Sequence, residues 1–222
     1  GSTSQVNGGG AITLAGGSSV DANGLPAGYA YSPSSNTSNW GSTPASGIQL
    51  GAYKNTVTSI SFYSGGGNII IRGKSANGTP GISWFASTSG AQTINAGSGT
   101  ITIDGQGVGT GHGIEFNYYG DAVYPTLISS NSATTAIYIT GTTSGGYAGY
   151  QGTVIVTETG SGGISINGTN TSGNTNASVN ASGLSLYASS GAISINGSGG
   201  TGVNIGGTWG RGTLASSSSN IT

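Results

Sequence analysis

The sequence predicts an all-β chain wound as a parallel β-helix, with three strand-bearing faces per rung and roughly 27–36 residues per rung. Three observations carry this. The string from Gly67 to Gly73 (GNIIIRG) returns 32 residues later as Gly99 to Gly105 (GTITIDG), and Gly81-Ile82-Ser83-Trp84 returns as Gly113-Ile114-Glu115-Phe116 at the same offset. A period of this length marks one structural unit stacked on itself. Second, short runs of the form Gly-x-aliphatic-polar-aliphatic recur along the chain, and their period of two puts both aliphatics on one face of a strand. Third, the 46 glycines punctuate β-branched runs without a collagen-like triplet, and only 4% of residues are charged. That combination suits ordered strands and tight turns rather than a disordered chain.

The units follow in order as Gly10 to Gly16, Gly47 to Ala52, Gly67 to Gly73, Gly99 to Gly105, Ala136 to Gly141, Gly152 to Thr157, Gly163 to Gly168, Gly183 to Ala188, Gly191 to Gly197 and Gly202 to Gly206. From Ile69 the first-face positions run Ile101, Ile137, Ile164, Ile193 and Ile221, at spacings of 32, 36, 27, 29 and 28. Ile82, Ile94, Ile114, Leu127, Leu184, Val203 and Leu214 are expected on the other two faces. An antiparallel sandwich has no reason to keep this beat, whereas a solenoid must, because each rung pairs with the next about 4.8 Å above. The register stacks Ile69 on Ile101, Ile71 on Ile103, Ile82 on Ile114 and Trp84 on Phe116, and sets Arg72 beside Asp104 as an opposite-charge pair. Corner glycines supply positive φ, and Asn at stacked corners forms ladders. The stretch around Val154 fits the beat poorly. Residues 1–46 are expected to form an irregular N-terminal segment or cap, with Gly1-Ser2 resembling a tag scar, and residues 47–222 the rungs. Asn220-Ile221-Thr222 reads as the start of a further, truncated rung.

Charge excludes several function classes. Four basic and five acidic residues give a formal net charge of −1, too little clustered positive charge for nucleic acid or an anionic membrane surface. No apolar run approaches the roughly 18 residues of a membrane helix, so membrane insertion is not expected. With no cysteine, thiolate metal sites and thiol catalysis are absent. The fragment Asp104-Gly105-Gln106-Gly107 does not repeat as a calcium-binding nonapeptide does, and no phosphate loop is present. Neither a metal nor a cofactor is expected.

Catalysis is not expected either. His112, the one histidine, lies in Gly109-Thr110-Gly111-His112-Gly113 just ahead of a strand and reads as structural or solvated. Glycosidic hydrolysis takes two carboxylates at short separation; Asp104 and Glu115 fall on adjacent faces of one rung, but Arg72 is the expected neighbour of Asp104. The candidate binding residues are Tyr118, Tyr119, Tyr124, Tyr138, Tyr147 and Tyr150, concentrated in one region, with Tyr138 outward by parity. Exposed tyrosines on a low-charge surface suit sugar stacking or protein contact. Sequons at Asn36, Asn77, Asn167, Asn170, Asn176, Asn180, Asn196 and Asn220 are explained mostly by turn chemistry.

The units GNIIIRG, GTITIDG and AIYITG, with GTPGISW and GTGHGIEF between them, resemble the repeats of filamentous haemagglutinin-type exoproteins, the bacterial two-partner secretion adhesins. The resemblance covers Gly67 to Thr142 and extends more loosely to residue 222. The Asn-Pro-Asn motifs of that family's secretion module are absent, which makes this an internal shaft segment. The resemblance implies a right-handed helix, in keeping with the rule for parallel crossovers. It also implies bacterial export to the cell surface and adhesion without catalysis. The implied partners are glycans or cell-surface proteins, together with adjoining repeats of one longer chain. Two alternatives remain: a β-helix that binds or cleaves polysaccharide, as in phage receptor-binding proteins or lyases, and an ice-binding solenoid. The latter needs a Thr-x-Thr ladder, and Thr56-Val57-Thr58 and Thr100-Ile101-Thr102 do not recur in register.

Overall fold

A computed structural model of the chain describes residues 3–5, 9–22, 24–32, 46–51, 59–76, 78–85, 90–118, 126–134, 136–145, 149–152, 154–181, 183–205 and 213–216. Among them there is no helix, and the strands, numbered in chain order, stack into three parallel sheets. The first sheet holds β1 (Thr3–Gln5), β7 (Ser61–Tyr63), β10 (Gln92–Asn95), β13 (Thr126–Ser130), β16 (Val154–Glu158), β19 (Ser185–Ala188) and β22 (Thr213–Ser216). The second holds β2 (Ile12–Leu14), β8 (Ile69–Ser75), β11 (Ile101–Gly107), β14 (Ile137–Thr143), β17 (Ile164–Asn170) and β20 (Ile193–Ser198), with β5 (Ala30–Ser32) also on β8. The third holds β6 (Ile48–Leu50), β9 (Ile82–Phe85), β12 (Ile114–Tyr118), β15 (Tyr150–Gly152), β18 (Val179–Ala181) and β21 (Val203–Ile205). The chain visits the three sheets in turn, so the expected three-faced β-solenoid is the observed fold.

Register turns the sequence period into interior columns. On the second sheet Ile12, Ile69, Ile101, Ile137, Ile164 and Ile193 stack in line, and Leu14, Ile71, Ile103, Ile139, Ile166 and Ile195 form a second column. The isoleucines from Ile69 to Ile193 in the first column are essentially inaccessible to solvent. Each removes a side chain worth about 1.5–3 kcal/mol from water. The third sheet is less uniform. Its columns read Ile48, Ile82, Ile114, Tyr150, Val179, Val203 and Leu50, Trp84, Phe116, Gly152. Trp84 stacks on Phe116 at a centroid distance of 5.9 Å, and Phe116 meets Tyr150 at 5.9 Å. Tyr150 occupies an isoleucine's place, while Gly152 leaves the room next to Phe116 that a Cβ would overlap. Large and small residues have exchanged positions at one level.

A third inward position on the second sheet is glycine at every level from β8 to β20: Gly73, Gly105, Gly141, Gly168 and Gly197. None of these has positive φ. A Cβ at Gly105 would overlap the carbonyl of Gly113, and one at Gly141 the carbonyl of Gly149. The second and third sheets therefore converge too closely for a side chain, and steric room is what these glycines provide. Buried hydroxyls satisfy carbonyls at the turns, one level away: Thr143 Oγ1 donates to Gly111 O at 2.7 Å and Ser130 Oγ to Gly99 O at 2.8 Å. The asparagine ladders lie on outward strand faces rather than at corners. Asn196 Nδ2 donates to Asn167 Oδ1 at 2.9 Å and Asn204 Nδ2 to Asn180 Oδ1 at 3.0 Å.

Four expectations change. Stacked pairing begins at Thr3, ahead of the boundary expected at residue 46. There β2 pairs with the first half of β8 and β5 with its second half, so one strand position is split and residues 15–29 are inserted within it. The insert is an antiparallel hairpin of β3 (Gly16–Val20) and β4 (Pro26–Gly28), and at its neck a Cβ on Gly28 would overlap the Gly16 carbonyl and one on Gly16 would crowd the Tyr29 carbonyl. Second, Val154 and Val156 are regular interior residues, stacked on Thr126 and Ile128. Third, Ile128 and not Leu127 is the inward partner of Ile94. Fourth, Arg72 and Asp104 are register partners, but both side chains turn to the insert: Arg72 Nη1 donates to Ala27 O at 2.9 Å, and the Tyr29 hydroxyl donates to Asp104 Oδ2. Ile221 lies outside the described residues.

Candidate functional site

Of the six tyrosines expected to form a binding patch, Tyr138 and Tyr150 have described side chains. Tyr138 faces outward on β14, 40% exposed. Tyr150 is fully buried between Phe116 and Val179, so it leaves the exposed set; its parity matches Ile114 and Ile82, and it fills their column. Tyr118 contributes backbone to β12, and Tyr119, Tyr124 and Tyr147 lie outside the described residues. Among the described residues, Tyr31 and Tyr187 are the other exposed tyrosines.

The two acids a cleaving site would use are on different sheets. Asp104 lies on the outer face of the second sheet beneath the inserted hairpin. Burial raises its pKa, while the Tyr29 hydrogen bond and the Arg72 charge oppose that rise. Tyr29 is pushed up to about 12, first by burial and then by its bond to Asp104. Glu115 lies on β12 of the third sheet and is completely buried. Its two carboxylate oxygens have no hydrogen-bond partner, and burial pushes its pKa up to about 8. His112, also buried, places Nε2 3.6 Å from Glu115 Oε1. Beside Glu115 in register is Ser83, whose Oγ is buried and unpartnered too. His112 and Glu115 thus form an enclosed pair, with Ser83 the register neighbour of Glu115.

A more accessible arrangement lies at the far end of the first sheet. Glu158 ends β16 at an inward position, aligned with Ser130 and Ala188, and its side chain is almost wholly buried. One carboxylate oxygen accepts from the Gly160 amide at 2.7 Å; the other, Oε2, is buried without a partner. Burial raises the pKa, opposed by the Gly160 amide and by Ser130. Glu158 lines an open groove of about 500 Å³ together with Thr157, Thr159, Tyr187, Ala188 and Ala215. Tyr187, on the outward face of β19, is 41% exposed. Neither residue was singled out by sequence reasoning. The available signal was Glu158 itself, an acid at the inward parity of an otherwise aliphatic Val-Ile-Val run.

The outer face of the second sheet changes character along the stack. Arg72, Asp104, Thr140, Asn167 and Asn196 form one row, and Lys74, Gln106, Thr142, Thr169 and Ser198 the next. Thr-x-Thr occurs on β14 but gives way to Asn-x-Thr and Asn-x-Ser on the following strands. Among the described residues no group of three or more His, Asp or Glu gathers to hold a metal ion. No described helix is long and apolar enough to cross a membrane. Compared with protein-family models, with curated proteins and with solved structures, the chain matches none.

Proposed function

We propose that this chain is a non-catalytic shaft segment of a secreted or surface-anchored bacterial adhesin of the filamentous haemagglutinin type. The shaft supplies length and presents its outer faces to glycans or cell-surface proteins. The observation that carries the reading is the continuous interior: the isoleucine columns run through successive levels of the second sheet with every side chain from Ile69 to Ile193 in the first column buried. Such stacking makes an elongated surface from a small unit. The repeats between Gly67 and Thr142 that resemble those exoproteins are the ones that form these levels. The separation of Asp104 from Glu115, one held by Tyr29 and the other enclosed, supports a role without glycoside cleavage.

The test is surface labelling of intact bacteria that express the full-length protein, using antibodies raised against this chain. Labelling without permeabilisation, and weaker attachment to host cells when the gene is deleted, are expected. Labelling only after permeabilisation contradicts the reading. So does release of oligosaccharides from a polysaccharide by the purified chain, if Asp104→Asn or Glu115→Gln abolishes it.

A further inference from the structure

We propose that the outer face of the second sheet over β14, β17 and β20 binds a neutral oligosaccharide, with the Tyr138 ring as its stacking platform and the Asn167–Asn196 ladder as its hydrogen-bonding floor. This rests on the reading of the chain as a surface shaft and names the face on which the shaft would touch a glycan.

Every group involved lies on one side of the sheet. Along β14 and β17 buried inward residues alternate strictly with accessible outward ones, and the register carries the same parity to β20. Tyr138 is outward and 40% exposed. Its row continues as Ser165 and Ser194, whose short side chains cannot cover the ring on that side. In the next outward row Asn167 and Asn196 follow Thr140. With about 4.8 Å between levels and about 3.3 Å per residue, the backbones of Tyr138 and Asn167 are about 8 Å apart, and those of Tyr138 and Asn196 about 12 Å. That is the reach of a disaccharide, one ring on the tyrosine and the next over the ladder.

The ladder is already set for such a ligand. Asn196 Nδ2 donates to Asn167 Oδ1 at 2.9 Å and to Ser194 Oγ at 3.0 Å, which uses both of its amide hydrogens. Its Oδ1, on an exposed residue, therefore remains to accept. Asn167 Nδ2 donates one hydrogen to Ser165 Oγ at 3.0 Å, leaving the other to donate outward. A sugar hydroxyl both donates and accepts, so an acceptor and a donor on neighbouring levels suit adjacent hydroxyls of one ring. These side chains are held in place before the ligand arrives, which limits the ordering that binding requires.

The same face argues against other partners. β14, β17 and β20 carry no charged residue, so nothing on them would meet the carboxylate of an anionic glycan. Asp104, one level away beside Thr140, is engaged by Tyr29, and Arg72 by the Ala27 carbonyl. A protein partner needs more room. Three levels of about 4.8 Å and six residues of about 3.3 Å give about 300 Å² in plan, against about 800 Å² per partner in a stable interface. A sugar chain needs only part of that area, with Tyr138 supplying the apolar contact and the ladder the polar ones.

The experiment is calorimetric titration and NMR of the purified chain with neutral tetrasaccharides of glucose, galactose, mannose and N-acetylglucosamine, and with tetragalacturonate as the anionic comparison. At least one neutral tetrasaccharide is expected to bind and to shift the Asn196 side-chain amide resonances. Its affinity is expected to be the same at low and high salt, because no charge is engaged. Tyr138→Ala is expected to weaken binding by about 10-fold, a typical scale for one lost aromatic contact, while Tyr138→Phe retains it. Asn196→Ala is expected to weaken it by about 5-fold, the scale of one hydrogen bond. Both losses should come at an unchanged unfolding midpoint. Tyr187→Ala, at the outward tyrosine of the first sheet, is expected to change nothing. If a neutral glycan binds but Tyr138→Ala or Asn196→Ala leaves its affinity intact, this face is the wrong site and the shaft reading stands. If no neutral tetrasaccharide binds, the proposal is overturned, while surface labelling still decides the shaft reading separately. Tighter binding of tetragalacturonate, lost at high salt, overturns the neutral class.

Discussion

The second and third sheets are built from the same number of levels and differ in how well each level matches the next. On the second sheet the columns are almost pure isoleucine, followed by a line of glycines. On the third, Trp84, Phe116, Tyr150 and Gly152 follow one another across three levels. Buried oxygens of Ser83, Glu115 and Tyr150 without hydrogen-bond partners lie on that same sheet, against one, Thr13 Oγ1, on the second. Identical side chains stacked in register fill space without adjustment, whereas a changing column needs compensation at the neighbouring level. The second sheet carries the stacking, and the third has accumulated the costly substitutions.

If that division holds, the largest losses come from the second sheet. Ile103→Ala opens a cavity between Ile71 and Ile139 and is expected to cost about 4 kcal/mol in chemical denaturation. A loss below that of Val179→Ala on the third sheet would break the comparison. Gly105→Ala drives a methyl into the Gly113 carbonyl and is expected to cost about 3 kcal/mol. A neutral result would mean that the two sheets are free to separate.

Replacing the unsatisfied polar groups of the third sheet is expected to have the opposite sign. The Glu115 pKa rises from 4.5 to about 8, so the native state holds its proton where the unfolded chain releases it. The contribution is fully present below about pH 4.5 and is lost as pH rises through about 8. Glu115→Gln cannot lose a proton, and at pH 8.5 it should be more stable than the parent by a few kcal/mol, with the two converging at pH 4. Melting curves at both pH values check this; parallel pH profiles would contradict it. The smallest effect is expected from Tyr150→Phe, which removes a buried hydroxyl without a partner and should raise stability by about 1 kcal/mol.

The same contrast sets what could be read from the sequence. The isoleucine columns were legible because an aliphatic recurs at each level in a conserved local frame, GNIIIRG against GTITIDG. Val154 was harder to place because its level is short, with 27 residues from Ile137 to Ile164. The preceding third-sheet strand there is Tyr150-Gln151-Gly152, with no aliphatic alternation. The first level was hidden because the hairpin divides its strand, leaving 57 residues between Ile12 and Ile69. Arg72 and Asp104 were correctly set side by side, but no local signal showed that Ala27 and Tyr29 would cover them. Tyr150 lies in sequence among the other candidate tyrosines, and only the column it joins shows that it is inside. Glu115 alternates with Ile114 and Phe116 and so has outward parity, yet it is fully buried, because outward does not mean uncovered.

Stacking in register is the claim beneath all of this, and the absence of cysteine makes it directly measurable with two spin labels. Ile70 and Ser194 occupy the same outward row of the second sheet, four levels apart through Thr102, Tyr138 and Ser165. Gln49 and Asn204 are five levels apart on the third sheet, through Ser83, Glu115, Gln151 and Asn180. At about 4.8 Å per level, Ile70→Cys with Ser194→Cys should give a backbone separation of about 19 Å, and Gln49→Cys with Asn204→Cys about 24 Å, each as one narrow distribution. Distances that fail to scale with the number of levels, or a broad distribution at either pair, would contradict the stacked solenoid.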